Sequence, residues 1–350
     1  MPRYGATLLS LDAAPSISFL GNTSTFPQSF NPTWVAPSAA TGGATGLLVR
    51  SQNCTASAPG KCIACSGGGR MASVIAFAKL LSNDNASSTV PPSFSKVDAA
   101  SVVFMPHDAN DDLGTEDPRI HLDPITGVYY LFYTCYNSGR TSPPIPRVTL
   151  CLATTRDPTS PSGGGWTRHG PLGFGDNSKS AALAFGYGRP GADRGEHLLF
   201  WGSGAIRLSR SRNLTDWPDH RGQPFLTNTT FGNPNVEVGP PPMRLSTGDY
   251  ILFHNSWSDR FPAPPGYEPA WVVLAADDLS RIVSRAPAPL WSPAAAPWMS
   301  GEKPALCNVP NVAFVTAAHP MDQPDVFRLY FGGADAVVGS AVVRIATSTS

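Results

Sequence analysis

Glu116-Asp117-Pro118-Arg119-Ile120 is followed, after a short gap, by the aromatic run Tyr129-Tyr130-Leu131-Phe132-Tyr133-Thr134-Cys135-Tyr136. The gap, His121 to Val128, carries Asp123-Pro124 and Thr126-Gly127, which are turn pairs, so the whole stretch reads as strand, tight turn, strand. Pro118 gives up a ladder donor and biases Asp117 toward an extended backbone. The hairpin would therefore aim two carboxylates and a guanidinium off the end of a sheet. Taken alone, Glu116 and Arg119 suit a surface ion pair equally well, and Asp117-Pro118 suits an ordinary turn.

The same grammar recurs on both sides of this hairpin. Toward the N-terminus, Asn31 to Trp34 and Gly46 to Arg50 read as strands, and Ser73 to Leu80, bounded by Gly-rich and Asn/Asp/Ser-rich loops, reads as a third. Toward the C-terminus come Val148–Thr154, Ala181–Phe185, His197–Trp201, Asp249–His254, Trp271–Asp277, Val309–Val315, Phe327–Asp335 and Ser340–Ile345. In each group the second strand is strongly apolar, aromatic in all but the first, and ends in a polar, charged or aromatic residue: Arg50, Tyr136, Trp201, His254, Asp335. The period is on the order of 50 to 70 residues, a repeat of architecture rather than of sequence. Five groups of three or four short strands predict an all-β, five-bladed β-propeller over residues 30–350, whose inner strand ends face one axial depression. Residues 1–29 read as an N-terminal extension that could pack on the propeller.

Composition supports this class and excludes others. Pro (36) and Gly (33) are abundant and only 14% of the 350 residues are charged, which suits short strands joined by turns. Lys+Arg and Asp+Glu are equal at 25 each, so there is no global field to attract nucleic acid or an anionic membrane. No run approaches the roughly 20 apolar residues of a membrane span. A neutral ligand, or one whose charge is met locally, is the expectation.

Compartment signals conflict. Met1 to Leu20 lacks the apolar core of a signal peptide. Five Asn-x-Ser/Thr sequons, at Asn22, Asn53, Asn85, Asn213 and Asn228, together with six cysteines, favour a secreted or lumenal location. Cys54, Cys62 and Cys65 share one Gly/Ser-rich loop, while Cys135, Cys151 and Cys307 stand singly in apparent strands. No second ligand pair follows Cys62-Ile63-Ala64-Cys65 at zinc spacing, so a loop disulfide or free thiols is expected and no metal.

The ordered set of motifs resembles glycoside hydrolase family 130, the β-mannoside phosphorylases and related mannosidases. The likeness rests on Glu116-Asp117-Pro118-Arg119 before the aromatic strand, on Gly239-Pro240-Pro241-Pro242 before the strand ending in His254, and on Asn308-Val309-Pro310-Asn311-Val312 before Tyr330-Phe331-Gly332-Gly333-Ala334-Asp335. It implies an enzyme whose catalytic acid is Asp117 and whose mannosyl-binding positions are Asn31, Arg50, Arg119, His254 and Asp335. Each residue also has a structural reading. Asn31 precedes Pro32 in a turn, Arg50 and His254 end apolar strands where a structural hydrogen bond is as natural as a ligand contact, and Asp335 suits a turn.

The chemistry required is definite. A glycosidic bond breaks through an oxocarbenium-like state that needs a proton on the leaving oxygen and a nucleophile at the anomeric carbon. A free Asp, with a pKa near ~3.9, is a poor acid at neutral pH, so burial or Glu116 would have to raise it, against Arg119. The resemblance further implies that the proton passes through a sugar hydroxyl. No cofactor is called for beyond inorganic phosphate as co-substrate of a phosphorylase, whose site would include Lys179 and a second cation. Where phosphorylases carry His-Arg-Pro, this chain has Phe200-Trp201-Gly202. Arg140, Arg147, Arg168 and Arg207 are the candidate replacements. The weakened phosphate set favours an inverting hydrolysis of β-mannosides, with Glu237, or else Glu302, as general base. Phosphorolysis releasing mannose 1-phosphate and a non-catalytic glycan-binding propeller are the alternatives.

Overall fold

The computed structural model describes residues 3–17, 26–53, 73–81, 90–139, 145–161, 165–186, 195–258, 266–303 and 306–348. Five antiparallel sheets are arranged as a five-bladed β-propeller. Blade I comprises Gln28–Val35, Gly46–Gln52, Val74–Lys79 and Val102–Phe104; blade II comprises Gly114–Leu122, Tyr129–Asn137, Arg147–Thr155 and Thr167–Pro171. Blade III comprises Ala181–Ala184, His197–Trp201, Ile206–Ser211 and Gln223–Leu226. Blade IV comprises Asn235–Val238, Tyr250–Trp257, Glu268–Leu274 and Ile282–Arg285, with two-residue additions at Ser203–Gly204 and Met243–Arg244. In blade V, Ala313–Pro320, Val326–Gly333 and Val337–Ser348 are completed by Arg3–Leu11. Residues 3–11 are thus the outer strand of the last blade, paired antiparallel with its third strand.

The apolar runs are continuous because the middle strands are covered on both faces. Along Leu131-Phe132-Tyr133, Leu131 and Tyr133 pack with Val35, Leu48 and Ile75 of blade I, whereas Phe132 packs with Leu183, Leu199 and Trp201 of blade III. Blade III alternates likewise, with Leu198 and Phe200 facing Leu252 and Val272 of blade IV and Leu199 facing blade II. Blade IV sends Ile251 and Phe253 toward Leu329 and Phe331 of blade V, and blade V sends Tyr330 and Val338 toward Leu47 and Val49 of blade I. Period-2 alternation therefore feeds five inter-blade cores. Each large side chain so buried, such as Phe132, stabilises the ring by roughly 1.5–3 kcal/mol.

Side chains near the axis stitch neighbouring blades. Thr33 Oγ1 of blade I accepts from the Ile120 backbone N–H of blade II at 3.0 Å. Asn255 of blade IV both donates to the Val315 carbonyl at 2.8 Å and accepts from the Val315 N–H at 2.7 Å in blade V. Thr316 Oγ1 donates to the Pro32 carbonyl, closing blade V onto blade I.

Two local expectations need correction. Asp117 is not extended: its φ is 46°. The register explains why, since Glu116 pairs with Thr134 and Arg119 with Phe132, three steps on one strand against two on the other. The extra residue is a bulge, and Asp is one of the few residues that tolerates the left-handed backbone it demands. Cys135 and Cys151, expected to stand singly, form a disulfide between adjacent strands of blade II, and Cys307 is also disulfide-bonded. Tyr133 pairs with Cys151 and Cys135 with Thr149, so the bridge runs diagonally across the ladder. The Cys54, Cys62 and Cys65 loop and Arg140 lie outside the described residues. Among the described residues no helix is long and apolar enough to cross a membrane. Among the sequons, Asn53, Asn213 and Asn228 are exposed.

Candidate active site

A cavity of about 310 Å³ opens where the inner strand ends converge. Its polar wall is Asn31 and Arg50 from blade I, Glu116, Asp117 and Thr134 from blade II, Asn177 and Lys179 from the approach to blade III, Tyr267 from blade IV and Asp335 from blade V; Phe314 and Val312 are among its apolar parts. Residues more than 300 positions apart thus share one hollow.

Asp117 sits at the centre of the polar wall. Its Oδ1 accepts from Asn31 Nδ2 at 2.8 Å and from Arg50 Nη1 at 3.1 Å. Arg50 is forked, because its Nη2 reaches Glu116 Oε1 at 2.6 Å while its Nε donates to Ser73 Oγ at 3.3 Å. Burial pushes the Asp117 carboxyl up, yet Arg50, Lys179, the Asn31 hydrogen bond and Arg119 together hold it at about 2. The opposite holds for its neighbours. Burial lifts Glu116, with Asp117 adding to the rise and Arg50 opposing it. Burial also lifts Asp335 to about 6; the guanidinium of Arg50 opposes, and the negative charge of Asp117 adds. Interacting carboxyls titrate as a group, so this cluster retains a proton well above the ordinary carboxylate range. It does not reside on Asp117.

Beneath the wall lies a second, fully enclosed carboxylate. Glu237 has no exposed surface. Its Oε1 accepts from Ser180 Oγ at 2.5 Å and lies 3.6 Å from Lys179 Nζ. Its Oε2 accepts from Ser203 Oγ at 2.8 Å and lies 3.5 Å from the Tyr267 hydroxyl. Glu237, helped by Asp117 and Asp335, raises the Lys179 ammonium above its usual value, so that group stays charged. The Tyr267 hydroxyl is driven upward by burial and by the same carboxylates and stays neutral.

Of the residues singled out from sequence, Asn31, Arg50, Asp117, Lys179 and Asp335 line the cavity together with Glu116. Arg119 does not line it. Its Nη1 donates to the Pro118 carbonyl at 3.1 Å, its Nη2 donates to Ser180 Oγ at 3.3 Å, and its plane lies over Phe314. It thus braces the Asp117 bulge against the Glu237 shelf from behind, with burial lowering its pKa to about 10. His254 is also absent from the wall: it is buried in the second strand of blade IV, its Nδ1 3.4 Å from the Asn255 carbonyl. Blade IV presents Tyr267 instead. Glu302 is exposed and lies off the cavity. The candidate replacement cations are dispersed, with Arg147 paired to Asp176 at 3.0 Å and Arg168 to Asp111 at 2.6 Å. Arg207 lines a neighbouring pocket.

Sequence reasoning missed Tyr267, Asn177 and Thr134. Thr134 was visible in principle, since it occupies in blade II a strand-end place like that of Arg50 in blade I. Nothing in the Gly266-Tyr267-Glu268 context marks Tyr267.

An all-β propeller with clustered carboxylates, a forked guanidinium and an ammonium around an axial cavity defines a glycoside-cleaving class of enzyme. The family model described as beta-1,4-mannooligosaccharide phosphorylase matches residues 88–347, and the chain belongs to that family, glycoside hydrolase family 130, whose members are glycoside phosphorylases and hydrolases. A 1,2-beta-oligomannan phosphorylase of Thermoanaerobacter sp. (strain X514) is 26% identical over 233 residues, 66% of this chain and 69% of that one. Among solved structures, a glycosyl hydrolase from Bacteroides ovatus is 22% identical with a TM-score of 0.70, covering 97% of this chain and 93% of that one. A β-1,2-mannobiose phosphorylase from Listeria innocua is 15% identical with a TM-score of 0.65, over 93% and 92% of the two chains. At these identities the solved structures establish the fold.

Proposed function

We propose that the cavity takes the terminal unit of a β-linked mannooligosaccharide and hydrolyses its glycosidic bond in a single displacement with inversion. The observation that carries this reading is the convergence of Asn31, Arg50, Glu116, Asp117, Lys179 and Asp335 on one hollow. In this reading Asn31 and Arg50 hold the acid, and Asp335 binds sugar hydroxyls. Asp117 supplies the proton through a sugar hydroxyl to the leaving oxygen. Its low pKa is reconciled by the carboxyl cluster, because the proton held with Asp335 and Glu116 passes to Asp117 on sugar binding. Water attacks the anomeric carbon from the opposite face, the bonding pair of the broken bond leaves with the protonated oxygen, and the surplus water proton goes to the base. Glu237 is that base, reached by way of the Tyr267 hydroxyl at the cavity edge.

Water is favoured over phosphate on charge. Three carboxylates and two cations line the cavity among the described residues. Arg50 is committed to Glu116 and Asp117, and Lys179 to Glu237. A phosphate dianion there would have to compete with carboxylates for both cations. Phosphorolysis keeps one specific observation on its side: Lys179 is 28% exposed and faces the hollow.

The test is incubation of β-1,2- and β-1,4-mannobiose with and without inorganic phosphate. Mannose released at equal rate in both conditions is the expected result. Mannose 1-phosphate formed only with phosphate would replace hydrolysis by phosphorolysis. Binding without cleavage in either condition would make the protein a glycan-binding propeller. Asp117→Asn should reduce turnover by about 10²- to 10⁴-fold, the usual contribution of a general acid, while leaving binding in place.

A further inference from the structure

At the opposite end of the propeller axis from the sugar cavity lies a second hollow, of about 360 Å³. The sugar cavity takes Asn31 from the first strand of blade I and Asp117 from that of blade II; this hollow takes residues further along the same strands, Trp34 and His121. Ala317 joins them from the first strand of blade V. Phe185, just past the first strand of blade III, and Pro242, beyond that of blade IV, complete the ring. The two hollows share no lining residue. On blade II, Arg119 stands between them in sequence and lines neither.

The wall is mostly apolar. Among the described residues no charged side chain lines it, and half-buried Trp34, Phe185 and Tyr250 offer aromatic faces. Three of its hydroxyls are already bonded to backbone: Thr33 accepts from the Ile120 N–H, while Thr316 and Tyr129 donate to the Pro32 and Ala36 carbonyls. His121 differs from these. It is only 4% exposed, and its Nε2 is buried without a hydrogen-bond partner. The ring is held in place, because its other nitrogen donates to the Ala181 backbone and Phe132 meets it edge-on with centroids 5.6 Å apart. Burial, with the charge of Arg119 adding, keeps the imidazole at about 3 and therefore neutral. A neutral imidazole that donates through one nitrogen accepts through the other. The wall thus carries a fixed acceptor whose bond is unmade, a costly state for a buried polar atom unless a donor meets it.

We propose that this hollow binds an uncharged, compact ring alcohol, its hydrocarbon rings against Trp34, Phe185 and Tyr250 and its hydroxyl donating to His121 Nε2. The volume lies in the range of small-molecule sites, which are commonly apolar and aromatic with a few fixed polar groups that set orientation. A saccharide suits such a wall poorly, since most of its hydroxyls would go unpaired. The site does not depend on what the sugar cavity cleaves.

Equilibrium dialysis of the full-length protein against 2-naphthol and, separately, against 2-methoxynaphthalene tests it. The ether keeps the rings and has no donor. 2-Naphthol should bind saturably and about tenfold or more tighter than the ether, the scale of a hydrogen bond to an otherwise unsatisfied acceptor. His121→Phe should bring the two probes to equal affinity. Ala36→Trp, at the half-buried rim just past the first strand of blade I, should weaken 2-naphthol binding about tenfold or more and leave activity on mannobiose unchanged. This variant leaves the packing of His121 untouched, so it tests the site even where His121→Phe does not fold. Binding should persist in Asp117→Asn and in saturating mannobiose. No saturable binding of 2-naphthol overturns the proposal, as does equal affinity of the wild type for both probes, binding that survives Ala36→Trp, or displacement by mannobiose.

Discussion

Asn31 and Asp117 occupy equivalent places in neighbouring blades and touch. Each precedes a proline, each has a left-handed backbone with φ of 48° and 46°, and each lies in a one-residue bulge of its blade's first strand. Asn31 Nδ2 donates to Asp117 Oδ1 at 2.8 Å. The repeat of the fold has thus been used twice, once to present an amide and once to present an acid. Because this bond favours the ionised form, Asn31→Ala should raise the Asp117 pKa. It should also loosen the carboxylate, with kcat falling about tenfold or more through lost positioning. An unchanged kcat and pH profile would remove Asn31 from the site.

The carboxyl cluster sets the pH range of activity. A general acid must be protonated, and in this cluster burial lifts both Glu116 and Asp335, the latter to about 6. The rate kcat/KM should therefore fall as pH rises through about 6. Asp335→Asn removes one negative neighbour of Asp117 and Glu116 and should move this limb to lower pH. A profile flat from pH 5 to 8 in the wild type would contradict the shared-proton account.

Gly332 controls Asn31 from blade V. A Cβ at this position would lie 2.2 Å from Asn31 Oδ1 and 3.1 Å from its backbone nitrogen. Gly332→Ala must displace the amide, and with it the bond to Asp117. Activity should fall at least as far as in Asn31→Ala, and combining the two should add little, since both act on one contact. Additive losses would show that Gly332 acts elsewhere.

Much of this was legible before any coordinates. The apolar runs between turn signals, aromatic in blades II to V, mark the second strands because those strands are buried on both faces, and the Glu116-Asp117-Pro118 motif marks the site because a bulge at an axial strand end needs an unusual local sequence. Two kinds of information were not legible. Sequence gives the neighbours of a residue along the chain but not across a ring, so Arg119 looked like a ligand when it braces Pro118 and Ser180. For the same reason, His254 shared the strand-end pattern of Arg50 yet lies within blade IV. The second is context without local signal: Tyr267 enters the cavity from a lead-in segment whose residues are ordinary.

Acid sensitivity should trace to buried imidazoles. Burial holds His254 at about 4 and His121 at about 3, both below the ordinary imidazole value of 6.5. A depressed folded-state value means that the stability is fully present above about pH 6.5 and is lost as pH falls toward 4 and 3. Asp117 acts in the same sense below about pH 4, while Glu116 and Asp335, both raised, act oppositely as pH climbs above the ordinary carboxylate range. The urea midpoint should drop between pH 6.5 and 4, and His254→Gln should lessen that drop. An equal drop in the variant would assign the acid limb to other groups.

Closure of the ring depends on the chain's first strand. Arg3–Leu11 supplies the outer strand of blade V along residues 341–348 of its third strand, and Tyr4 reaches across to Asp249 of the preceding blade with a hydrogen bond of 2.6 Å. Tyr4 is buried in the core shared by blades IV and V. Removing residues 1–11 would uncover a long strand edge whose unpaired backbone groups invite edge-to-edge association. It would also expose Val343 and Ile345, which pack in the same core. The truncated protein should unfold at lower denaturant and self-associate, as followed by urea titration and light scattering. Among the described residues blades I to III share no core with this strand, so what folded material remains should keep the Asn31–Asp117 contact and with it measurable turnover. A truncation that leaves the midpoint and the association state unchanged would show that the propeller is closed without its first strand.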